Sequence, residues 1–215
     1  MQKLNIISET AQYIVVHKPA GVNVEQWIGF DSVQDMVSDY LRTQQPKREP
    51  FVGVVHRLDR PVSGVLVLAK KKSALKLLNQ QFAEHRTTKR YKAIVSQRPS
   101  VDSATLTHYI YVNNKLKKAE IYTSPRKDAH ECRLIYRVEK ALKNGYLLDI
   151  QLLTGKFHQI RAQLSFIGCP ILGDEKYGSI VPYRKDAIAL HAYQLAFNDL
   201  ETNEKLTFEA DFEYE

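Results

Sequence analysis

Residues 51–70, FVGVVHRLDRPVSGVLVLAK, constrain this 215-residue chain more than any other stretch. Two short runs rich in β-branched residues, 51–55 and 65–69, have the composition of buried strands, and a polar loop containing Pro61 and Gly64 joins them. His56, Arg57, Asp59 and Arg60 place four polar or charged side chains within five residues of that loop. An Asp flanked by two Arg is held ionised, because nearby cations favour the carboxylate. Pro61 and Gly64 confine the backbone around it. Two readings fit these residues equally: a reactive carboxylate presented on a fixed loop, and an Asx-type turn residue satisfied by its Arg neighbours.

Around this loop the chain alternates between strand and helix signals. Residues 13–18 form a strand candidate ended by the turn signal at 19–21. Asp31 or Ser32 can cap a helix whose apolar residues Val33, Met36, Val37, Tyr40 and Leu41 recur at helical spacing until Pro46 stops it. Ser73 can cap a second helix with Ala74, Leu77, Leu78 and Phe82 inward. Period-two alternation then predicts strands near 90–96, 104–112, 118–123, 131–141 and 146–153, the last two joined by a hairpin around Asn144 and Gly145. A short helix follows Thr154 and Gly155, from about His158 to Ile167, with Gly168 as its stop. At about 100° per residue, Ile160, Leu164 and Ile167 share one face of it. His158, Arg161 and Ser165 share roughly the opposite face, so Arg161 points away from the apolar stripe. Strands near 188–197 and 206–210 finish the chain. Many strands with few helices mean α+β, not repeating βαβ units.

With 44% apolar residues, the chain can bury a core as one large domain or two small lobes. Cys132 and Cys169 cannot make a disulfide framework, and neither lies in a CxxC pair, which points to a reducing compartment. The N-terminal MQKLNIISET lacks a signal-peptide core, and no apolar run approaches the ~18 residues of a membrane span. The expectation is a cytoplasmic protein with no membrane partner. Its net charge of +7 is unevenly spread: residues 199–215 hold seven acids and one Lys, so residues 1–198 carry 30 basic against 17 acidic side chains, or +13. Basic clusters at 70–72, 89–92, 115–118 and 126–127 have Tyr91, Tyr109, Tyr111 and Tyr122 in or near them. Cations for phosphates beside aromatics for bases is the pattern of RNA recognition, although any one cluster by itself reads better as solubilising charge and strand tyrosines.

HRLDRPVSGVLVLAK resembles the HRLDxxTSG motif of the RluA-type RNA pseudouridine synthases, in which the Asp is catalytic. Other matches follow in the family's order. IVVHKPAG at 14–21 resembles the opening strand and turn, and KRYKAIV at 89–95 the tyrosine-bearing strand. TGKFHQIRAQLSFIGCPILGDEKYG at 154–178 is similar to the TGRTHQIR…LGDxxYG segment, and the series ends at the LHA of 190–192. Val62 stands where Thr is usual, and Lys156 and Phe157 where Arg and Thr are usual. These departures leave the Asp untouched and bear on substrate choice more than on reaction class.

The resemblance implies the pseudouridine synthase fold: an α+β, mixed, largely antiparallel sheet with flanking helices and an active cleft across it. It implies one catalytic domain over residues 1–215, a monomer, without the S4 RNA-binding domain that many members carry. The implied activity isomerises specific uridines of structured ribosomal or transfer RNA. The base is detached at N1, turned and reattached through C5 with nothing added or oxidised, so no cofactor or metal is expected. By the same resemblance Asp59 is the catalytic carboxylate, Tyr91 stacks on the target base and takes part in proton transfer, and Arg161 holds Asp59 ionised and oriented. Arg57 enters the space the base leaves, and His56, Arg60, Lys156, His158 and Gln159 are the further substrate-binding residues. Extrusion of the base is required on general grounds, since C1′ and C5 cannot be rearranged within a stack. Two other classes compete. A metal-dependent hydrolase would draw on His17, His56, His158, His191, Asp59 and Asp174, but these lack HxH or HExxH spacing. A non-catalytic RNA-binding module would have no need of Asp59, Tyr91 and Arg161 together.

Overall fold

Continuous Val, Ile and Leu runs, apolar on both faces, form strands that are covered on both sides, and the first unit of the fold is built on two of them. The computed structural model describes residues 4–47 and 49–214. Strand β2 (Tyr13–Lys18) runs antiparallel to β4 (Ser63–Ala69), pairing Ile14 with Leu68, Val15 with Val67 and Val16 with Leu66. All six of those side chains are fully buried. Strand β1 (Asn5–Glu9) adds to β2, and β3 (Gly53–Val54) adds to β4. Only two residues of the 51–55 run form a strand, and β1 lies outside the strands predicted from sequence.

The chain divides into two compact units, and this first one comprises Met1–Thr88 with Ala192–Glu213. From Ala192 onward, strand β10 (Leu190–Asn198) belongs to it and pairs with β11 (Lys205–Glu209). One face of β2 and β4, carrying Tyr13, Val15, Val65 and Val67, packs on Ala74, Leu78, Leu195, Phe197 and Phe208. The ring of Tyr13 meets that of Phe197 edge-on at 5.3 Å. Truncating fully buried Leu78 to Ala would cost about 2–5 kcal/mol.

Helix α1 (Val33–Gln44) starts as expected: Ser32 Oγ accepts from the Asp35 amide at 3.0 Å, and the helix ends short of Pro46. Helix α2 (Lys72–Ala83) departs from expectation. Its cap is Lys71, so Ser73 lies within the first turn, and Leu77 is exposed while Gln81 is buried. The cause is polar: the Gln81 amide donates to the Asn198 carbonyl and accepts from the Asn198 amide, both at 2.8 Å, which turns the buried stripe toward Ala74, Leu78 and Gln81.

The second unit, Lys89–His191, orders its strands β5 (Thr88–Val95), β9 (Gly145–Leu152), β8 (His130–Leu142), β6 (Ser103–Asn113) and β7 (Lys118–Tyr122), every neighbour antiparallel. Leu142 pairs with Gly145, so the hairpin expected around Asn144 and Gly145 forms with Lys143 and Asn144 as its two loop residues. Helix α3 (Gln159–Phe166) ends at Ile167, and Gly168 follows in the left-handed region at φ +77. A 3-10 turn covers Glu175–Tyr177. Ile110, Ala119, Cys132, Ala162 and Tyr177 form an apolar cluster in this unit, and both cysteines are free and buried. The fold is thus a mixed, mostly antiparallel sheet with three α-helices among the described residues, as the α+β reading requires. No helix among the described residues is long and apolar enough to cross a membrane.

Candidate active site

In the first unit, the loop between β3 and β4 carries Asp59, half-buried, between exposed Arg57 and Arg60. Its shape is set by backbone bonds. The Val62 amide donates to the Asp59 carbonyl at 3.0 Å, closing a turn around Arg60 and Pro61, while Leu58 and Val62 are buried as anchors on either side. Gly64 follows at φ +128, where a Cβ would overlap the backbone of Ala192. Two motifs read separately in the sequence, SG after the Asp and the terminal LHA, therefore touch through bare backbone.

Beneath the loop lies Lys18, which the sequence reading did not single out. It is fully buried, and its Nζ donates to three carbonyls: Pro19 at 2.8 Å, Val22 at 2.7 Å and Arg60 at 3.1 Å. The Gly21 amide donates to the same Arg60 carbonyl at 2.8 Å, and Arg60 Nε returns a bond to the Gly21 carbonyl at 2.9 Å. The turn after β2 and the Asp59 loop are thereby clamped as one piece. Burial pushes the Lys18 ammonium down to about 7, with the Asp59 carboxylate opposing that shift and Arg60 adding to it. A Lys opening a KPAG turn was the available signal; its acceptors are backbone carbonyls, one of them 42 residues away, and carry none.

Other loop residues divide between support and exposure. His56 Nε2 accepts from the Val67 amide at 3.2 Å, and its ring stacks on Phe82 at 4.8 Å, so His56 braces the loop against β4 and α2. Arg57 is exposed and pairs through Nη1 with Glu25 at 2.9 Å. The Arg60 guanidinium stands 5.9 Å from the Phe30 ring.

In the second unit, Tyr91 sits on β5 opposite Ile150, largely buried, and its neighbour Arg90 pairs with Asp149. Gln159, expected to meet substrate, is buried with its amide fully engaged. Its Oε1 accepts from Thr154 Oγ1 at 2.8 Å and the Lys156 amide at 3.1 Å, while its Nε2 donates to the Arg133 carbonyl at 3.1 Å and Gln163 Oε1 at 3.0 Å. This leaves Lys156 and Phe157 exposed on a stapled loop. His158 stacks on Phe157 at 3.7 Å and places Nδ1 2.9 Å from the Tyr177 hydroxyl.

Arg161 lies buried rather than on an open face, bonded to Asp174 through two nitrogens. Tyr177, buried beside it, has the cations of Arg161 and Lys118 each 5.0 Å from its ring, and its hydroxyl accepts from the Ala119 amide at 2.8 Å. Sequence reasoning placed Asp174 and Tyr177 in a loop without these partners. Among the described residues no three His, Cys, Asp or Glu side chains gather closely enough to hold a metal ion.

The family model described as RNA pseudouridylate synthase matches residues 12–166, most of the chain and the whole of the Asp59 loop. The chain belongs to the RNA pseudouridylate synthase family. It is accordingly an isomerase acting on uridines in RNA, of the RluA type. Ribosomal large subunit pseudouridine synthase C of Haemophilus ducreyi is 28% identical over 226 residues, covering 99% of this chain and 69% of that protein. Ribosomal large subunit pseudouridine synthase D of Zymomonas mobilis is 33% identical over 228 residues, covering 97% and 69%. Among solved structures, human RNA pseudouridylate synthase domain containing 4 superposes with a TM-score of 0.79 at 25% identity, covering 97% of this pseudouridine synthase and 88% of that chain.

Proposed function

We propose that this pseudouridine synthase acts on a uridine of structured ribosomal RNA, with Asp59 as the catalytic carboxylate. Support for the residue comes from its setting: half-buried on a loop clamped by Lys18 and braced by His56, Asp59 is held in a fixed place between two exposed guanidinium groups. Support for ribosomal RNA comes from the substrates named for the relatives, together with a net +13 over residues 1–198.

In the reaction the N1–C1′ bond breaks, the base turns in its pocket, C5 bonds to C1′, the C5 proton is lost and N1 is left carrying a proton. An ionised Asp59 oxygen serves either attack at C1′ or proton removal at C2′. Tyr91 stacks on the base and takes part in the proton transfers, and Arg161 is the cation that serves the carboxylate. Arg57 fills the place of the extruded uridine. Mapping pseudouridine in total RNA from cells with and without the gene tests the reading. The expected result is loss at one or a few ribosomal positions, and loss confined to transfer RNA would overturn the substrate assignment.

A further inference from the structure

The segment between β2 and α1 exposes apolar side chains that the fold does not use. Its base is closed by the Val33 amide donating to the Asn23 carbonyl at 2.9 Å and the Gln34 amide to the Val24 carbonyl at 3.1 Å. Its tip is a tight turn, with the Phe30 amide donating to the Trp27 carbonyl at 3.0 Å and Gly29 at φ +84. On that tip Trp27 is 68% exposed, Ile28 98% and Phe30 56%. Such a group displayed to water marks a contact surface more often than an accident of packing.

What surrounds the tip identifies the contact. Glu25, at its base, holds Arg57, and Phe30 lies under the guanidinium of Arg60. Both arginines flank Asp59 in the chain, so the tip is seated against the loop that carries the reactive carboxylate. Flat aromatic rings beside guanidinium planes are what unpaired bases stack on, with cations at hand for the phosphates between them. We propose that Trp27, Ile28 and Phe30, seated against Arg57 and Arg60, form a stacking platform for unpaired nucleobases next to the target uridine. The inference rests on the RNA reading above and extends it to a defined surface. An apolar protein partner would be poorly matched, because the patch is bordered by two arginines within a body of net positive charge.

Trp27 is the chain's one tryptophan, so its emission, excited at the red edge where the twelve tyrosines do not absorb, reports on this tip alone. The full chain is titrated with a short end-labelled oligouridylate and with an abasic sugar-phosphate strand of the same length, binding being followed independently by anisotropy of the label. Oligouridylate should quench Trp27 and the abasic strand should not. Trp27→Ala should weaken oligouridylate binding about tenfold without changing affinity for the abasic strand, and Trp27→Phe should restore most of the loss. Oligouridylate bound with Trp27 unquenched, or an equal loss for both strands, overturns the platform and leaves the RNA reading intact. A blue shift that grows with protein concentration in the absence of RNA overturns it in favour of self-association. If neither strand binds, the platform falls, because a stacking surface for unpaired bases must hold an unpaired strand, while the RNA reading is decided separately by the mapping above.

Discussion

The guanidinium of Arg161 holds both carboxylate oxygens of Asp174, Nε on Oδ2 at 2.7 Å and Nη2 on Oδ1 at 2.8 Å, with the two side chains 6% and 1% exposed. Helical spacing puts Arg161 opposite the apolar stripe of α3, where its removal would open no cavity. In the fold that helix is covered on nearly every side, from Gln159 through Leu164. Arg161→Met therefore leaves a buried carboxylate without its cation and should destabilise the protein by about 3–5 kcal/mol. Arg161→Lys keeps a charge but loses the planar two-point grip, and should cost less. Urea unfolding of the three proteins measures both; a Met variant with the wild-type midpoint would remove the structural role.

The elements read correctly from sequence are those whose signal is local. Strands β6 to β9 alternate with period two, and α1 has its cap, stripe and stop within one short stretch. The Asp59 loop was legible because its four polar residues fall within five positions and carry a family motif. Lys18 escaped notice because two of its acceptors are the Val22 and Arg60 carbonyls, one of them 42 residues away, and a carbonyl has no letter in a sequence. The structural bonds of His56 and Gln159 were hidden for a related reason: polar residues in a motif suggest substrate, and nothing in the motif names Val67, Arg133 and Gln163 as the groups they bond. In α2 the inward face was set by Gln81 meeting the backbone of Asn198, a contact that hydrophobic periodicity cannot register.

Asp59→Asn should abolish pseudouridine formation while leaving RNA affinity within about twofold, since the basic surface that supplies most of the binding is unchanged. Release of tritium from 5-labelled uridine in RNA reports the chemistry directly. Substantial release by the Asn variant would sink the assignment of Asp59.

Lys18 gives the fold a pH dependence whose sign is fixed by its buried site. Its ammonium is pushed down to about 7 from an ordinary value of 10.5. Between those values the unfolded chain binds more protons at this position than the folded one, so the contribution of Lys18 to stability grows as pH rises and is lost as pH falls to about 7. The slope for one such group is about 1 kcal/mol per pH unit. Comparing urea unfolding of wild type and Lys18→Met at roughly pH 7 and pH 9 isolates it from other titrating groups. The difference in unfolding free energy should widen in favour of the wild type at the higher pH; parallel profiles would mean that Lys18 titrates normally.

Arg57 is held by Glu25 at 2.9 Å in an exposed pair, and such pairs contribute only about 0–1 kcal/mol, so RNA can draw Arg57 away at little cost. Extruding a uridine costs a few kcal/mol from a structured stem and much less from a loose strand. If Arg57 fills the vacated place, its value should follow that cost. Its stem occupies the gap and its guanidinium stacks on or bonds to neighbouring bases, neither of which Ala can do. Arg57→Ala should therefore slow single-turnover reaction strongly on a folded stem-loop and only mildly on a short single strand with the same target uridine. Asp59→Asn should stop both, because the chemistry is common to the two substrates. Glu25→Gln, which releases Arg57 without removing it, should leave the ratio of the two rates close to that of the wild type. An equal loss on both substrates for Arg57→Ala would rule out the wedge and assign Arg57 to holding the segment around Glu25 against the Asp59 loop.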